Sequence, residues 1–109
     1  MIQPAASDLS RLREGSAGAA RLLKALANEK RLNILCQLAE GERAVGDLLP
    51  GAGLSQSALS QHLAILRAEH LVATRREGQT IRYAIDDPAA LRLMATLAEI
   101  FCPQACEAS

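Results

Sequence analysis

The residues of this sequence best suited to covalent chemistry are its three cysteines. Cys36 lies in a run of helical periodicity, Cys102 follows 66 residues later, and Cys106 stands four residues beyond Cys102. A cysteine thiolate attacks electrophilic sulfur and binds soft metal ions. The odd number argues against a framework of structural disulfides. Cys36 taken alone also fits a small core residue, because unpaired cysteines are often buried.

The remaining residue types do not assemble a zinc site or the catalytic residues of an enzyme. A zinc site needs about four nitrogen or sulfur ligands at suitable spacing. Both histidines, His62 and His70, fall within or just after one predicted helix. The sequence has no Gly-rich phosphate loop, no Cys-x-x-Cys motif and no nucleophile beside an activating histidine. We therefore predict that the protein is not an enzyme, holds no metal and needs no cofactor.

The charge is balanced overall but unevenly distributed along the chain. Twelve basic and twelve acidic side chains cancel, which argues against a strongly basic protein that coats nucleic acid. Residues 54–83 nevertheless carry a net charge of +2, and residues 84–109 carry −3. With one tyrosine, one phenylalanine and no tryptophan, stacking on single-stranded nucleic acid is not expected.

The chain is expected to form one domain in the cytoplasm. Its 109 residues suit a single domain, 1–109, in which residues 1–7 and 104–109 are predicted to be flexible tails. A core of this size is small, so a second copy of the chain would add stability. Neither a run of about 18 apolar residues nor a signal-peptide pattern is present, so we expect reduced thiols in the cytoplasm.

Hydrophobic periodicity predicts a mainly α-helical fold with a small β-hairpin, in the order ααααββα. The first helix begins near Asp8 and is weakened in its middle by Gly15 and Gly18. The second helix is capped by Asn28 and ends at Gly41. The apolar face of this second helix is predicted to contain Leu32, Leu35, Cys36 and Ala39.

Two further helices surround a glycine-containing turn in the middle of the chain. The segment RAVGDLL forms a short helix, which the breaker PGAG is predicted to end. Ser55 then caps a helix that runs to about Glu69. A short helix, a tight turn and a second helix are the arrangement of a helix-turn-helix. Beyond a hairpin, a last helix begins at Pro88 and is stopped by Pro103.

The helix that follows Ser55 has an unusually small and uncharged outer face. On a helical wheel Leu59, Leu63 and Leu66 fall on one side, so serine, glutamine and alanine side chains fall opposite. Such a face can enter the major groove of DNA, where glutamine pairs with adenine and serine meets bases or phosphates. An ordinary polar surface helix is the alternative. The DNA contacts predicted here are Ser55, Gln56, Ser57, Ser60, Gln61 and His62.

Three arginines lie in the predicted hairpin, near its turn at Glu77–Gly78–Gln79. Arg75, Arg76 and Arg82 could reach phosphates beside the groove that the preceding helix enters. A helix-turn-helix followed by a basic hairpin is typical of a winged helix that binds double-stranded DNA. A helical interaction module without DNA binding remains the competing interpretation.

The sequence also resembles the ArsR/SmtB family of small winged-helix repressors over about residues 20–102. The resemblance rests on the segments ALAN-x-x-RL-x-IL, S-x-S-x-L-S-Q-H-L-x-x-L and R-R-x-G-Q-x-I-x-Y. It implies a homodimer in which the first and last helices form the interface and two recognition helices bind a palindromic operator. Two family metal sites, Cys-x-Cys before the turn and Asp with His on the last helix, have no counterpart here.

Within that family, the segments NILCQL and EIFCP resemble the persulfide-sensing subgroup that includes SqrR, BigR and HlyU. The resemblance implies that Cys36 and Cys102 are the sensing pair, and that small sulfur-containing inducers convert them into a di- or polysulfide bridge that releases the operator. Cys36 is expected to attack first, because a helix C-terminus disfavours a thiolate at Cys102. Two alternatives stay open: a three-thiolate site with Cys106 for arsenite or another thiophilic ion, and general oxidant sensing.

Overall fold

The structure is a computed structural model that describes residues 3–102; residues 1, 2 and 103–109, with Pro103 and Cys106, lie outside the described part. The described chain contains six helices and three strands. Their bounds are Ala6–Glu14 (α1), Ser16–Leu26 (α2), Glu29–Ala39 (α3), Arg43–Ala44 (β1), Val45–Ala52 (α4), Gln56–Ala68 (α5), Val72–Glu77 (β2), Thr80–Ile85 (β3) and Pro88–Phe101 (α6). No helix within residues 3–102 combines the length and apolar character that a membrane span requires.

The N-terminal segment contains two helices where the sequence predicted one. Gly15, with φ −94° and ψ 13°, separates α1 from α2. Glycine leaves helical geometry at low cost, which explains the break at this predicted weak point, whereas Gly18 stays inside α2. α1 begins at Ala6, inside the predicted tail 1–7, and buries none of its side chains.

α3 confirms the predicted cap but not the whole of the predicted apolar face. The Asn28 side chain accepts hydrogen bonds from the backbone N–H groups of Lys30 and Arg31, at 2.9 and 3.1 Å. The prediction that Cys36 and Ala39 belong to the buried face was wrong, since both are exposed. The buried side of the helix is centred away from these two residues, which lie together on its flank. The buried residues of α3 are Ile34, Leu35 and Leu38.

The turn before α5 begins later than predicted. α4 continues through Pro50 and Gly51 to Ala52, so the first three residues of the PGAG segment do not break the helix. Pro50 removes a single hydrogen bond, the one its N–H would donate to the Gly46 carbonyl, and the helix tolerates that loss. Gly53 ends the helix because its φ of 65° lies in the left-handed region that glycine adopts readily.

A third strand joins the predicted hairpin. β2 and β3 pair antiparallel around the predicted turn, in which Gly78 has a φ of 64°. The two residues of β1, Arg43 and Ala44, pair with Tyr83 and Arg82 of β3, so the sheet order is β1-β3-β2. A strand of two residues has too little alternation to be detected in a sequence. It fixes the loop between α3 and α4 against the hairpin.

The core lies between α3, α4, α5 and the start of the hairpin. Leu59, Leu63 and Leu66 of α5 are completely buried, as the helical wheel predicted. They pack in one cluster with Leu35 of α3 and Leu48 of α4. Because three leucines anchor one side of α5, the opposite side is held toward solvent.

α6 closes the described chain and covers the core only in part. The Asp87 side chain caps it by accepting the Ala89 N–H at 2.9 Å. Ala90 is its single buried residue, and the apolar residues at its end are open to solvent, with Ile100 61% and Phe101 75% exposed. A helix end with this much exposed apolar surface is suited to pack against another apolar surface.

Candidate DNA-binding surface and dithiol groove

The outward face of α5 presents the polar residues that the sequence singled out. The Ser55 hydroxyl accepts the Ala58 N–H at 3.2 Å, so this serine is fixed as the cap that starts the helix. Since α5 is anchored from behind by buried leucines, its face forms a rigid surface able to enter a DNA groove. The exposed candidates on this face are Gln56, Ser57, Ser60 and Gln61.

His62 lies at the edge of that face and is half-buried. Its Nδ1 lies 3.3 Å from a guanidinium nitrogen of Arg31. Arg31 also donates to the carbonyls of Ala25 at 2.7 Å and Lys24 at 3.3 Å, which closes the C-terminal end of α2. The sequence predicted a DNA contact for His62, whereas this geometry favours a packing role between α3 and α5.

A second polar link joins α2 to the end of α5. The guanidinium of Arg21 donates two hydrogen bonds to the Glu69 carboxylate, at 3.2 and 3.1 Å. Arg21 holds the pKa of Glu69 below its usual range through these bonds. α5 is therefore tied at two points to the helices behind it, by the Arg31–His62 contact and by the Arg21–Glu69 pair.

Two of the three wing arginines are already paired with a carboxylate. Glu42 accepts two hydrogen bonds from Arg75, at 2.6 and 3.1 Å, and one from Arg82 at 3.0 Å. Arg76 has no ion pair within residues 3–102; its Nε donates to the Gly78 carbonyl at 2.9 Å. Of the three arginines predicted to reach phosphates, Arg76 is the one without a carboxylate partner in the described chain.

Glu42 is a residue of the candidate surface that the sequence analysis missed. It lies 33 residues before Arg75 and 40 before Arg82, and only the unpredicted strand β1 brings it beside the hairpin. The Arg75 guanidinium, followed by that of Arg82, holds the pKa of Glu42 below its usual range, although partial desolvation opposes the shift. The carboxylate therefore stays ionised at neutral pH.

Cys36 and Cys102 line one apolar groove of about 330 Å³, between α3 and the end of α6. Both are free, exposed thiols, so the alternative that Cys36 is a core residue was wrong. The structure thus brings together two cysteines that are 66 residues apart in the sequence. The groove is completed by Leu32, Met94, Leu97, Ala98 and Phe101.

The surroundings of Cys36 disfavour its thiolate. Burial of the thiol raises the pKa of Cys36, and the nearby Cys102 and Glu40 raise it further. The direction of this shift counts against the expectation that Cys36 is the first to attack, because a smaller fraction is ionised at neutral pH.

The second histidine lies apart from the thiol groove. His70 is exposed just after α5 and adopts a φ of 60°, the one non-glycine residue of the described chain in the left-handed region. Within residues 3–102, no three histidine, cysteine or acidic side chains are grouped to hold a metal ion. Cys106, the third thiol of the arsenite alternative, lies outside the described residues.

Comparison with known proteins gives the chain its family. Residues 28–74 match the family profile described as "Bacterial regulatory protein, arsR family". The transcriptional activator HlyU of Vibrio cholerae is 45% identical over 101 residues, which make up 93% of this chain and 94% of HlyU. The chain belongs to the ArsR family. It is a transcriptional regulator and not an enzyme, as the sequence predicted.

Solved structures of other regulators share the fold of this ArsR-family protein. Reduced HlyU from Vibrio cholerae superposes with a TM-score of 0.78 at 47% identity, over 84% of this chain and 97% of HlyU. The transcriptional repressor BigR from Xylella fastidiosa gives 0.80 at 36% identity, over 91% and 98%. A homodimeric winged helix-turn-helix DNA-binding domain, Mb0332 from Mycobacterium bovis, gives 0.71 at 35%, over 92% and 89%. The predicted winged helix-turn-helix fold is confirmed.

Proposed function

We propose that this protein is a homodimeric repressor that binds operator DNA while Cys36 and Cys102 are reduced, and releases it when reactive sulfur species join the two sulfur atoms. The observation that carries this proposal is the shared groove, which both thiols line although they come from α3 and from the end of α6. Two exposed thiols in one apolar groove are suited to form a bridge once either is oxidised.

The bridging reaction needs only a persulfide as the oxidant. A thiolate of the pair attacks the outer sulfur of a persulfide, RSSH, forms a protein persulfide, and releases the thiol RSH after protonation. The thiolate of the second cysteine then attacks the inner sulfur of that protein persulfide, forms the disulfide, and releases hydrosulfide. If both cysteines are persulfidated first, their condensation gives a trisulfide and hydrogen sulfide. The inducer is reduced and the dithiol is oxidised in each route.

The apolar lining of the groove supports a role in which the thiols are protected from charged reagents. Leu32, Met94 and Phe101 line the same groove as the two thiols, and burial raises the pKa of Cys36. A thiol with a small ionised fraction reacts slowly with weak electrophiles, so a reactive sulfur donor is needed.

One helix and one contact offer a route from the groove to the DNA-binding face. Arg31 and Cys36 lie on the same helix, α3, and Arg31 meets His62 on α5. A bridge that pulls α3 and α6 together must be accommodated by the neighbours of α3. For the bridge to act as a switch, the reduced and bridged states must differ in affinity for DNA.

The uncovered apolar surface supports the homodimer. α1 has no buried residue, and its Leu9 and Leu12 are 47% and 53% exposed. Ile100 and Phe101 expose similar surface at the end of α6. A second copy of the chain that buried these helices would remove this surface from water and would position two α5 helices for a symmetric operator. The homodimeric relative Mb0332 has the same fold.

Cysteine variants test the proposal. Cys36→Ser and Cys102→Ser should bind operator DNA as tightly as the unmodified protein. Unlike that protein, both should stay bound to the DNA after treatment with glutathione persulfide. Cys106→Ser is the matched control, because it removes a thiol outside the pair and should respond normally. Fluorescence anisotropy with a labelled operator measures all four proteins before and after treatment. If persulfide releases the operator from both Cys36→Ser and Cys102→Ser as it does from the unmodified protein, the dithiol mechanism is ruled out.

Arsenite and hydrogen peroxide serve as parallel treatments, because they separate the alternatives. A three-thiolate site predicts that arsenite releases the DNA and that Cys106→Ser abolishes this response. A general oxidant sensor predicts that peroxide is as effective as persulfide. The proposal predicts that persulfide acts at lower concentration than either.

A further inference from the structure

Glu42 forms the centre of a charged cluster on the wing. Its two carboxylate oxygens accept a forked pair of hydrogen bonds from Arg75, and one of these oxygens also accepts a hydrogen bond from Arg82. Glu77 adds a second carboxylate to Arg75 at 3.1 Å. The four side chains carry no net charge together, so the charges of Arg75 and Arg82 are balanced by the protein's own carboxylates at the place where phosphates are expected.

The register of the hairpin explains why a counter-ion is needed there. Arg75 and Arg82 are directly opposed on β2 and β3, and like charges opposite each other destabilise a strand pair. The antiparallel pairing of β1 with β3 brings Glu42, the residue before β1, to this pair. Glu42 therefore stabilises the free protein with the same guanidinium groups that a DNA phosphate would bind.

We propose that Glu42 is an internal competitor for the DNA backbone: it holds Arg75 and Arg82 away from phosphates and thereby limits the affinity of the protein for duplex DNA. This inference rests on the DNA binding proposed above. When the wing meets DNA, the two arginines either keep Glu42 and contribute no phosphate contact, or exchange it and leave a carboxylate beside the phosphates. Both outcomes weaken binding relative to a wing without that carboxylate.

The substitution Glu42→Gln tests the competition because it removes the charge and keeps the shape. We expect the reduced variant to bind operator DNA about three- to tenfold more tightly at low salt. Each phosphate neutralised by an arginine adds about 0.9 to the slope of log affinity against log salt, so the slope should steepen by about one unit or more. Fluorescence anisotropy over a salt series gives both quantities, and thermal unfolding checks that the variant is folded.

Glu40→Gln is the matched control. It removes the same charge two residues away, from a carboxylate that has no arginine partner within residues 3–102. Its affinity and salt slope should stay close to those of the unmodified protein. If Glu40→Gln tightens binding as much as Glu42→Gln, the effect is one of net charge and the proposal is wrong.

Arginine variants keep the proposal testable even if Glu42→Gln does not fold. In the otherwise unmodified protein, Arg75→Ala should weaken DNA binding less than Arg76→Ala, because Arg76 lacks a carboxylate partner in the described chain. In the Glu42→Gln background, Arg75→Ala should reduce the affinity for DNA by a larger factor than it does in the otherwise unmodified protein. A larger loss for Arg75→Ala than for Arg76→Ala, or a folded Glu42→Gln variant that binds no tighter, would overturn the inference. If the unmodified protein binds no duplex DNA at all, the proposed function itself fails.

Discussion

Cys36 is a free, exposed thiol whose surroundings disfavour its ionisation. The side chain is exposed in a groove shared with Cys102, yet burial of the sulfur, Cys102 and Glu40 all raise its pKa. A raised pKa lowers the thiolate fraction at neutral pH, and the reaction rate therefore increases with pH until the thiol is fully ionised. Glu40 is the contributor that a substitution can remove without touching either thiol.

Glu40→Gln should make Cys36 react faster at neutral pH. Loss of the neighbouring charge lowers the pKa of Cys36 toward its ordinary value, so the rate at pH 7 should rise roughly twofold. The difference should vanish at a pH well above the pKa, where both proteins carry the full thiolate. Alkylation by iodoacetamide across a pH series, followed by peptide mapping, measures the rate at Cys36. Glu29→Gln, at the other end of the same helix, is the control. If Cys36 is alkylated at the same rate in Glu40→Gln and in Glu29→Gln at every pH, the account is contradicted.

Single residues also mark the limit of what the sequence could predict. The types of Cys36 and Cys102 identified a possible dithiol, and family resemblance paired them, before any distance was known. Glu42 had no such signal, because its partners are brought to it by tertiary pairing of β1 with the hairpin. The exposure of Cys36 was also missed, since periodicity alone allows a rotation of the helix by one position.

At the scale of elements, α5 is the part of the molecule that the sequence determined best. Its cap, its length and its three buried leucines agree with the prediction, because strong periodicity and a good cap coincide there. Elsewhere local signals misled: Pro50 did not end α4, and the separation at Gly15 was visible only as a weakness. At Pro50 the helix loses one backbone hydrogen bond and continues, whereas at Gly15 glycine leaves helical geometry at low cost; the local pattern does not show which of the two positions ends a helix.

Gln61→Ala tests whether the outer face of α5 contacts bases. A glutamine amide that pairs with a base distinguishes sequences, so its loss should cost about 1 kcal/mol or more for operator DNA and much less for unrelated DNA. Titrations with both duplexes at one salt concentration give the two affinities. Gln79→Ala, at the exposed hairpin turn, is the control and should change both affinities by a similar factor. Equal losses on both duplexes for Gln61→Ala would mean that Gln61 contacts no base.

The shape of the whole molecule points to a partner. The described chain has a radius of gyration of 15.7 Å and extents of 50 × 36 × 22 Å. A compact domain of about 100 residues has a radius of gyration of about 13 Å. α1 buries none of its side chains, and its apolar residues Leu9 and Leu12 are uncovered. Such a shape is expected of half a dimer.

Leu12→Asp should convert the homodimer into a monomer. Leu12 is 53% exposed on α1, and a carboxylate placed in an apolar interface would lose its hydration without gaining a partner. Light scattering after size-exclusion chromatography measures the molar mass. Ile81→Asp provides the control, because Ile81 is an exposed apolar residue of the hairpin, far along the chain from α1 and outside α6. A monomeric mass for the unmodified protein would contradict the proposed dimer.

The central claim is that persulfide joins Cys36 to Cys102 and that this bond releases the DNA. The most direct measurement is the intact mass of the reduced protein after treatment with glutathione persulfide, combined with a DNA titration of the same sample. The account predicts a Cys36–Cys102 cross-link, seen as the loss of two hydrogen atoms with or without added sulfur, together with a loss of DNA affinity. Unchanged mass and affinity after persulfide, while arsenite binds and releases the DNA, would contradict it.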